Sequence, residues 1–162
     1  MKRATDRLKL EIATLGGAGT LPGAPGTWGS LASVLLLWPV ALSAGILGLL
    51  AAVLAGSLLC LWVADDAEQA WGVDPPKMVI DEFAGQALVL FWLPLRGDLP
   101  ADLLWLLAAF LLFRLFDIMK PLGIARLQHF PSGFGILLDD LLAGFYALAC
   151  LQSGIWLMAM LS

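Results

Sequence analysis

The sequence LASVLLLWPVALSAGILGLLAAVLAGSLLCLWVA, residues 31–64, decides the fold. It carries no charge, and the uncharged region around it extends from Glu11 to Asp65. A helix needs about 20 apolar residues to cross a bilayer, so this stretch is too long for one crossing and long enough for two. Because Pro39 and the segment 43–45 interrupt it, we predict a tight hairpin at residues 43–46.

The composition indicates an integral membrane protein with an all-α fold. Of the 162 residues, 60% are hydrophobic and 14% are charged, whereas a soluble domain has about 25% charged residues. The length suits one domain, which we take as residues 1–162. Since no basic run alternates with aromatic residues, nucleic acid is not an expected partner.

Five apolar segments are candidates for membrane crossings. They cover about residues 30–43, 46–64, 83–95, 102–116 and 141–161. An amphipathic helix over residues 1–15 precedes them and is expected to lie on the inner leaflet. The segment 83–95 would be only about 20 Å long as a helix, so a re-entrant element and four crossings are the alternative. With five crossings and the first residues in the cytoplasm, eight Lys and Arg residues face the cytoplasm and one faces outward.

Three carboxylate clusters lie at the ends of apolar segments. They are Asp81-Glu82 in VIDEFAGQ (79–86), Asp117 in FRLFDIMKP (113–121) and Asp139-Asp140 in GFGILLDDLLAG (133–144). With five crossings all three lie at the cytoplasmic interface, where they would repel one another unless a cation sat among them. Carboxylate oxygens favour Mg²⁺, Mn²⁺ or Ca²⁺. The alternative for any single cluster is a solvated helix cap.

Two cations flank the middle cluster. Arg114 and Lys120 each lie three residues from Asp117, within side-chain reach on a helix. Their guanidinium and ammonium groups would offer a phosphate oxygen a donor fork and a point charge. The glycine-rich loop GGAGTLPGAPGTWGS (16–30) lies on the same side, although it has no GxxxxGK pattern and taken alone indicates a hinge.

Several phosphate chemistries are excluded by missing residues. The only histidine is His129, so a mechanism with two histidines lacks its parts. Neither cysteine is followed five residues later by an arginine, and no DxDx[TV] motif occurs. The DGxxAR block of phosphatidyl-alcohol synthases is absent as well.

Four motifs in order resemble those of the phosphatidylglycerophosphatase A family. They are PGAPGTWGS (22–30), IDEFAGQ (80–86), FRLFDIMKP (113–121) and GFGILLDDLLAG (133–144). The resemblance implies an all-helical, Mg²⁺-dependent phosphatase of the bacterial inner membrane with its active site facing the cytoplasm. Its reaction, part of phospholipid biosynthesis, removes the terminal phosphate of phosphatidylglycerophosphate to give phosphatidylglycerol. One departure, Gly123 where a second proline is expected, affects the shape of a loop.

The resemblance also implies a role for each matching residue. The substrate-binding residues are Gly26, Thr27, Ser30, Arg114 and Lys120. The Mg²⁺ ligands are Asp81, Glu82, Asp139 and Asp140. The catalytic residues are these four carboxylates together with Asp117, which orients the cations or acts as a base. Attack by water and an aspartyl-phosphate intermediate both remain open.

The expected partners are the phosphatidylglycerophosphate substrate and membrane lipids, and a second copy of the chain is left open. Two other functions compete with this interpretation. One is a small membrane transporter or ion-binding channel subunit whose carboxylates line an ion path. The other is a phosphatase for a different lipid phosphate.

Overall fold

The computed structural model describes residues 2–128, 130–131 and 133–161, and these residues form helices and connecting loops without a strand. The helices are α1 (Lys2–Ala13), α2 (Pro25–Trp71), α3 (Ile80–Val89), α4 (Leu99–Met119), α5 (Ile124–Leu127) and α6 (Gly133–Leu161). A 3₁₀ turn, Ala18–Thr20, lies between α1 and α2. The all-α fold is therefore confirmed.

Helix α2 is folded back on itself at Gly45. Its 47 residues would be about 70 Å long if straight, more than twice the hydrocarbon thickness of a bilayer. Gly45 has φ 56° and ψ −143°, a conformation that breaks the helix. Gly26, near the start of α2, and Asp74, just after its end, line the same cavity. The predicted hairpin at residues 43–46 is thus confirmed.

Three of the helices described are long and apolar enough to cross a membrane, namely α2, α4 and α6. The two halves of α2 raise this number to four when they are counted separately. Helix α3 differs from the helix predicted over residues 83–95, because it ends at Val89 after 10 residues. That is about 15 Å, half of the hydrocarbon thickness.

The chain beyond α3 continues without helical structure and is held by side chains of other helices. Gln152 on α6 donates its Nε2 to the carbonyl oxygen of Phe91 at 2.9 Å. Asp102, fully buried near the start of α4, accepts hydrogen bonds from the backbone N–H groups of Arg96 and Gly97 and from the indole of Trp38. Non-helical backbone is tolerated at membrane depth where protein groups satisfy it.

Helix α1 packs on the second half of α2 instead of lying only on a lipid surface. Lys9 Nζ is 2.5 Å from Asp66 Oδ2 and 5.2 Å from the centre of the Trp62 ring. The carbonyl oxygen of Ala13 accepts a hydrogen bond of 2.8 Å from the backbone N–H of Val79, immediately before α3. Helix α1 therefore supports the segment that leads into Asp81-Glu82, the DE motif.

Candidate active site

One cavity of about 210 Å³ collects side chains from all four sequence motifs. Eight of the ten predicted site residues line it: Gly26, Asp81, Glu82, Arg114, Asp117, Lys120, Asp139 and Asp140. They come from the start of α2, the start of α3, the end of α4 and the first half of α6. The fold thus brings segments more than 100 residues apart in the chain to one end of the bundle.

The start of α2 lies against Glu82. A Cβ atom at Gly26 would be 2.5 Å from Glu82 Oε1 and 2.9 Å from Arg114 Nη1, so a larger residue there would displace the ends of these two side chains. Ser30, one turn later, is fully buried and donates its hydroxyl to Glu82 Oε2 at 2.5 Å. Thr27 is half-buried and is not among the described residues that line the cavity.

Arg114 links three of the motifs. Its Nη1 lies 2.6 Å from Asp117 Oδ2, 3.3 Å from Glu82 Oε1 and 3.5 Å from the Ser30 hydroxyl. Its Nε is buried and has no hydrogen-bond partner. The guanidinium is therefore fixed by carboxylates on one side and keeps one donor unused.

Lys120 ends α4 in a left-handed conformation, with φ 44° and ψ 49°. This conformation is uncommon for a residue other than glycine, and from here the ammonium group reaches Asp139 Oδ2 on α6 and lies 3.9 Å from Asp117 Oδ1. Burial would lower the pKa of Lys120, but the hydrogen bond and charge of Asp139 outweigh it and raise that pKa above its ordinary value. The side chain therefore stays positively charged.

The carboxyl groups at the start of α3 are hard to ionise. Burial, together with the charges of Glu82 and Asp139, raises the pKa of Asp81 well above its ordinary value. Burial also raises the pKa of Glu82 to about 8, although Arg114 and Ser30 act in the opposite direction. A cation placed among these groups would favour their charged forms.

A close contact between glycines sets the distance between α3 and α6. A Cβ atom at Gly144 would lie 2.5 Å from the carbonyl oxygen of Gly85, and one at Gly85 would lie 2.8 Å from the carbonyl oxygen of Asp140. Backbone therefore packs on backbone one turn from Asp81 and Asp140. The separation of these two carboxylates is fixed by the helices themselves.

Two of the four predicted Mg²⁺ ligands have oxygens suited to a metal ion. Asp81 Oδ1 and Asp140 Oδ2 are buried without a hydrogen-bond partner, a costly arrangement that a cation would relieve. Glu82 and Asp139 already have partners in Ser30, Arg114 and Lys120. In the part of the chain that the structure describes, no three His, Cys, Asp or Glu side chains are grouped as a metal-binding cluster. The fit to Mg²⁺ thus rests on the Asp81–Asp140 pair.

Four residues of the cavity were missed from the sequence, namely Asp74, Pro75, Pro76 and Met78. They belong to the polar connection between α2 and α3, which has no apolar pattern to mark it. The signal available was the acidic residue beside a proline pair that precedes the DE motif. His129 lies outside the described residues.

Comparisons with known proteins agree with these motifs. A family model described as phosphatidylglycerophosphatase A matches residues 11–154. A Bacteroides thetaiotaomicron protein named "Putative phosphatidylinositol-3-phosphatase" is 36% identical over 165 residues, covering 92% of this chain and 94% of that protein. No solved structure matches the chain.

Two relatives carry the name phosphatidylglycerophosphatase A. The Haemophilus influenzae protein is 39% identical over 137 residues, covering 81% of this chain and 78% of its own length. The Escherichia coli protein is 34% identical over 155 residues, covering 87% of this chain and 83% of its own. The family match includes every residue of the cavity described above. The chain belongs to the phosphatidylglycerophosphatase A family.

Proposed function

We propose that this protein is an Mg²⁺-dependent lipid phosphatase that hydrolyses phosphatidylglycerophosphate to phosphatidylglycerol and phosphate in phospholipid biosynthesis. The observation that carries the proposal is the cavity in which Arg114 and Lys120 lie among six carboxylates. Two fixed cations suit the charge of a phosphomonoester, and carboxylates with unpartnered oxygens suit a divalent cation. The family and the membrane-length helices support a lipid-borne substrate.

The residues in and around the cavity have two roles: some bind the phosphate, and others position the side chains that bind it. Arg114 and Lys120 donate hydrogen bonds to the phosphoryl oxygens, where negative charge is spread during phosphoryl transfer. Asp117 keeps both cations in place, since it lies within 4 Å of each. Ser30 orients Glu82 through its hydroxyl group, and Gly26 leaves room for the ends of the Glu82 and Arg114 side chains.

Asp81 and Asp140 are the ligands that we propose for Mg²⁺, because each has a buried oxygen without a partner. Glu82 and Asp139 complete the acidic set around them. Bound Mg²⁺ would supply charge neutralisation at the phosphoryl group and acidify a coordinated water. The bond that breaks is the one between phosphorus and the glycerol oxygen, and water supplies the oxygen that appears in phosphate.

We propose an inner-membrane location and a cytoplasmic active site, which the family and the distribution of basic residues support. The cavity lies at the end of the bundle that carries Arg114 and Lys120, and the positive-inside rule assigns that end to the cytoplasm. The acyl chains of the substrate then remain in the inner leaflet while its phosphate enters the cavity.

An ion path is less well supported by the positions of the carboxylates. A transporter would place them along the length of the bundle, whereas the six described in the cavity share one end. Asp102, at the other end, is occupied by three hydrogen-bond donors. The described acidic residues therefore favour a reaction site.

The test is phosphate release by the purified protein in mixed micelles, with and without EDTA. We expect activity that depends on Mg²⁺ and is lost in Asp81→Asn and Asp140→Asn. Asp98→Asn, an exposed residue outside the cavity, is the matched control and should behave as wild type. Mn²⁺ titration followed by electron paramagnetic resonance should show weaker binding in the first two variants. Full activity and unchanged Mn²⁺ affinity in both would refute the site.

The name of the Bacteroides relative favours one second candidate, a phosphatase for phosphatidylinositol 3-phosphate. The same assay should therefore offer phosphatidylglycerophosphate, phosphatidylinositol 3-phosphate and soluble glycerol 3-phosphate in parallel. We expect the highest kcat/KM for phosphatidylglycerophosphate. A higher value for the inositol lipid would replace the proposed substrate, and a higher value for glycerol 3-phosphate would remove the lipid specificity.

A further inference from the structure

Gln86 on α3 is an amide buried without any hydrogen-bond partner. Its side chain is fully buried, and both Nε2 and Oε1 are unsatisfied. Buried amide groups normally have at least one partner, in the protein or in ordered water. A side chain of this kind in a tightly packed helix therefore needs an explanation.

The unsatisfied polar atoms are concentrated around the candidate site. In the described part of the chain, buried side-chain atoms without partners occur on Asp81, Gln86, Arg114 and Asp140. Three of these residues line the cavity, and Gln86 lies one helical turn after Glu82. The set combines two donors, Gln86 Nε2 and Arg114 Nε, with three acceptors. Donors and acceptors in such proportions are what an enclosed water molecule can connect.

The geometry of α3 directs Gln86 toward the site. Residues four apart share a helix face, and helical side chains lean toward the N-terminus of their helix. The amide of Gln86 therefore lies over the turn that carries Glu82. The Glu82 carboxylate is not within hydrogen-bond distance of this amide, since both amide atoms are unsatisfied, so a bridging water is the natural connection.

Packing leaves no other partner for this side chain. All residues of α3 except Phe83 and Leu88 are buried, and glycines bring the neighbouring helices close. A Cβ atom at Gly56 would lie 3.2 Å from Ala84 Cβ, and one at Gly144 would lie 2.5 Å from Gly85. Among the described residues, the Gln86 amide therefore has no hydrogen-bond partner from the protein.

We propose that Gln86 is a positioning residue, whose amide binds a water molecule enclosed beneath the cavity and thereby fixes the Glu82 carboxylate against Arg114. This inference rests on the proposed phosphatase function for its kinetic consequence. It does not rest on that function for the bound water, which can be observed in the resting protein.

The kinetic test compares Gln86→Met with the control Gln152→Met, since methionine has nearly the same shape as glutamine. Gln86→Met keeps the unbranched shape and removes the amide; we expect kcat to fall about tenfold, as for other residues that orient a ligand shell. KM should stay within twofold and the melting temperature should not fall. Gln86→Asn, which retains an amide, should recover part of the kcat. Gln152→Met is the control, because Gln152 has a backbone partner in Phe91 far from the cavity, so it should lower stability and leave kcat unchanged.

The second test detects the water directly. In protein labelled with ¹⁵N-glutamine, four side-chain amides are visible, and Gln86→Met identifies one of them. We expect a cross-peak between the Gln86 amide and a slowly exchanging water in wild type. The positioning role would be overturned if Gln86→Met kept kcat within twofold of wild type. It would also be overturned if the activity lost in Gln86→Met were fully explained by a smaller amount of folded protein. Absence of the cross-peak would overturn the water. If wild type releases no phosphate, the proposed function fails and the cross-peak alone decides the inference.

Discussion

The substitution Gly144→Ala tests whether backbone contact between α3 and α6 sets the geometry of the site. The added Cβ would lie 2.5 Å from the Gly85 carbonyl oxygen, while ordinary contacts begin at 3.4 Å. The two helices must therefore separate by about 0.9 Å, and Asp140 moves with α6 away from Asp81 on α3. A misplacement of about 1 Å can reduce catalysis about 100-fold. We expect a loss of that size in kcat, with overpacking costing about 1–3 kcal/mol of stability.

Gly154→Ala provides the matched control on the same helix. No atom lies within 4 Å of the position that its Cβ would take, so alanine should stabilise the helix by about 0.5–1 kcal/mol and leave kcat unchanged. The assay combines initial rates of phosphate release with thermal unfolding of each purified variant. If folded Gly144→Ala retained kcat within twofold of wild type, the spacing of α3 and α6 would not control the site. Equal losses in both variants would refute the argument as well.

Three further changes probe the electrostatics. Without divalent cations, the melting temperature should fall as the pH rises from about 5 to 8. Burial raises the pKa of Glu82 to about 8, so in this range the folded state binds a proton that the unfolded state has released. Each pH unit should therefore lower the free energy of unfolding by up to about 1.4 kcal/mol. A flat profile in wild type, or an equally steep one in Glu82→Gln, would contradict this. Arg114→Lys keeps the charge but loses a charge-assisted hydrogen bond of about 1.5–3 kcal/mol, so kcat/KM should fall about 10- to 100-fold, and a change below threefold would count against its role. Asp102→Asn replaces one of the two oxygens that accept from three donors by an amide NH2 and should lower the melting temperature at unchanged kcat; a large kcat change would show coupling between the two ends of the bundle.

The membrane fold was predictable because apolar length carries most of the information. The break at Gly45 could be placed from the length of residues 31–64 and from the small residues at their centre. The end of α3 at Val89 could not be placed, since residues 90–95 are as apolar as a helix would be. Beyond its end, Gln152 on α6 satisfies the Phe91 carbonyl group, a tertiary contact that the local sequence does not reveal.

The candidate site was predictable as a set of charges but not as a network. The ordered motifs identified eight of the residues that line the cavity, seven of them ionisable. The sequence could not show that Arg114 forms ion pairs with both Glu82 and Asp117, or that Lys120 pairs with Asp139. Gln86 escaped notice because an uncharged amide in an apolar helix gives no signal until its burial and lack of partners are known.

The hydrogen bond between Ala13 and Val79 makes the two ends of the described chain unequal. The last residue of helix α1 is hydrogen-bonded to the residue before α3. A group attached to α1 that displaces this helix would therefore also displace the start of α3, where Asp81 and Glu82 lie. Leu161, by contrast, is 80% exposed at the end of α6. A purification tag, fluorophore or surface tether therefore belongs after α6, and a fusion ahead of α1 would report on a disturbed enzyme.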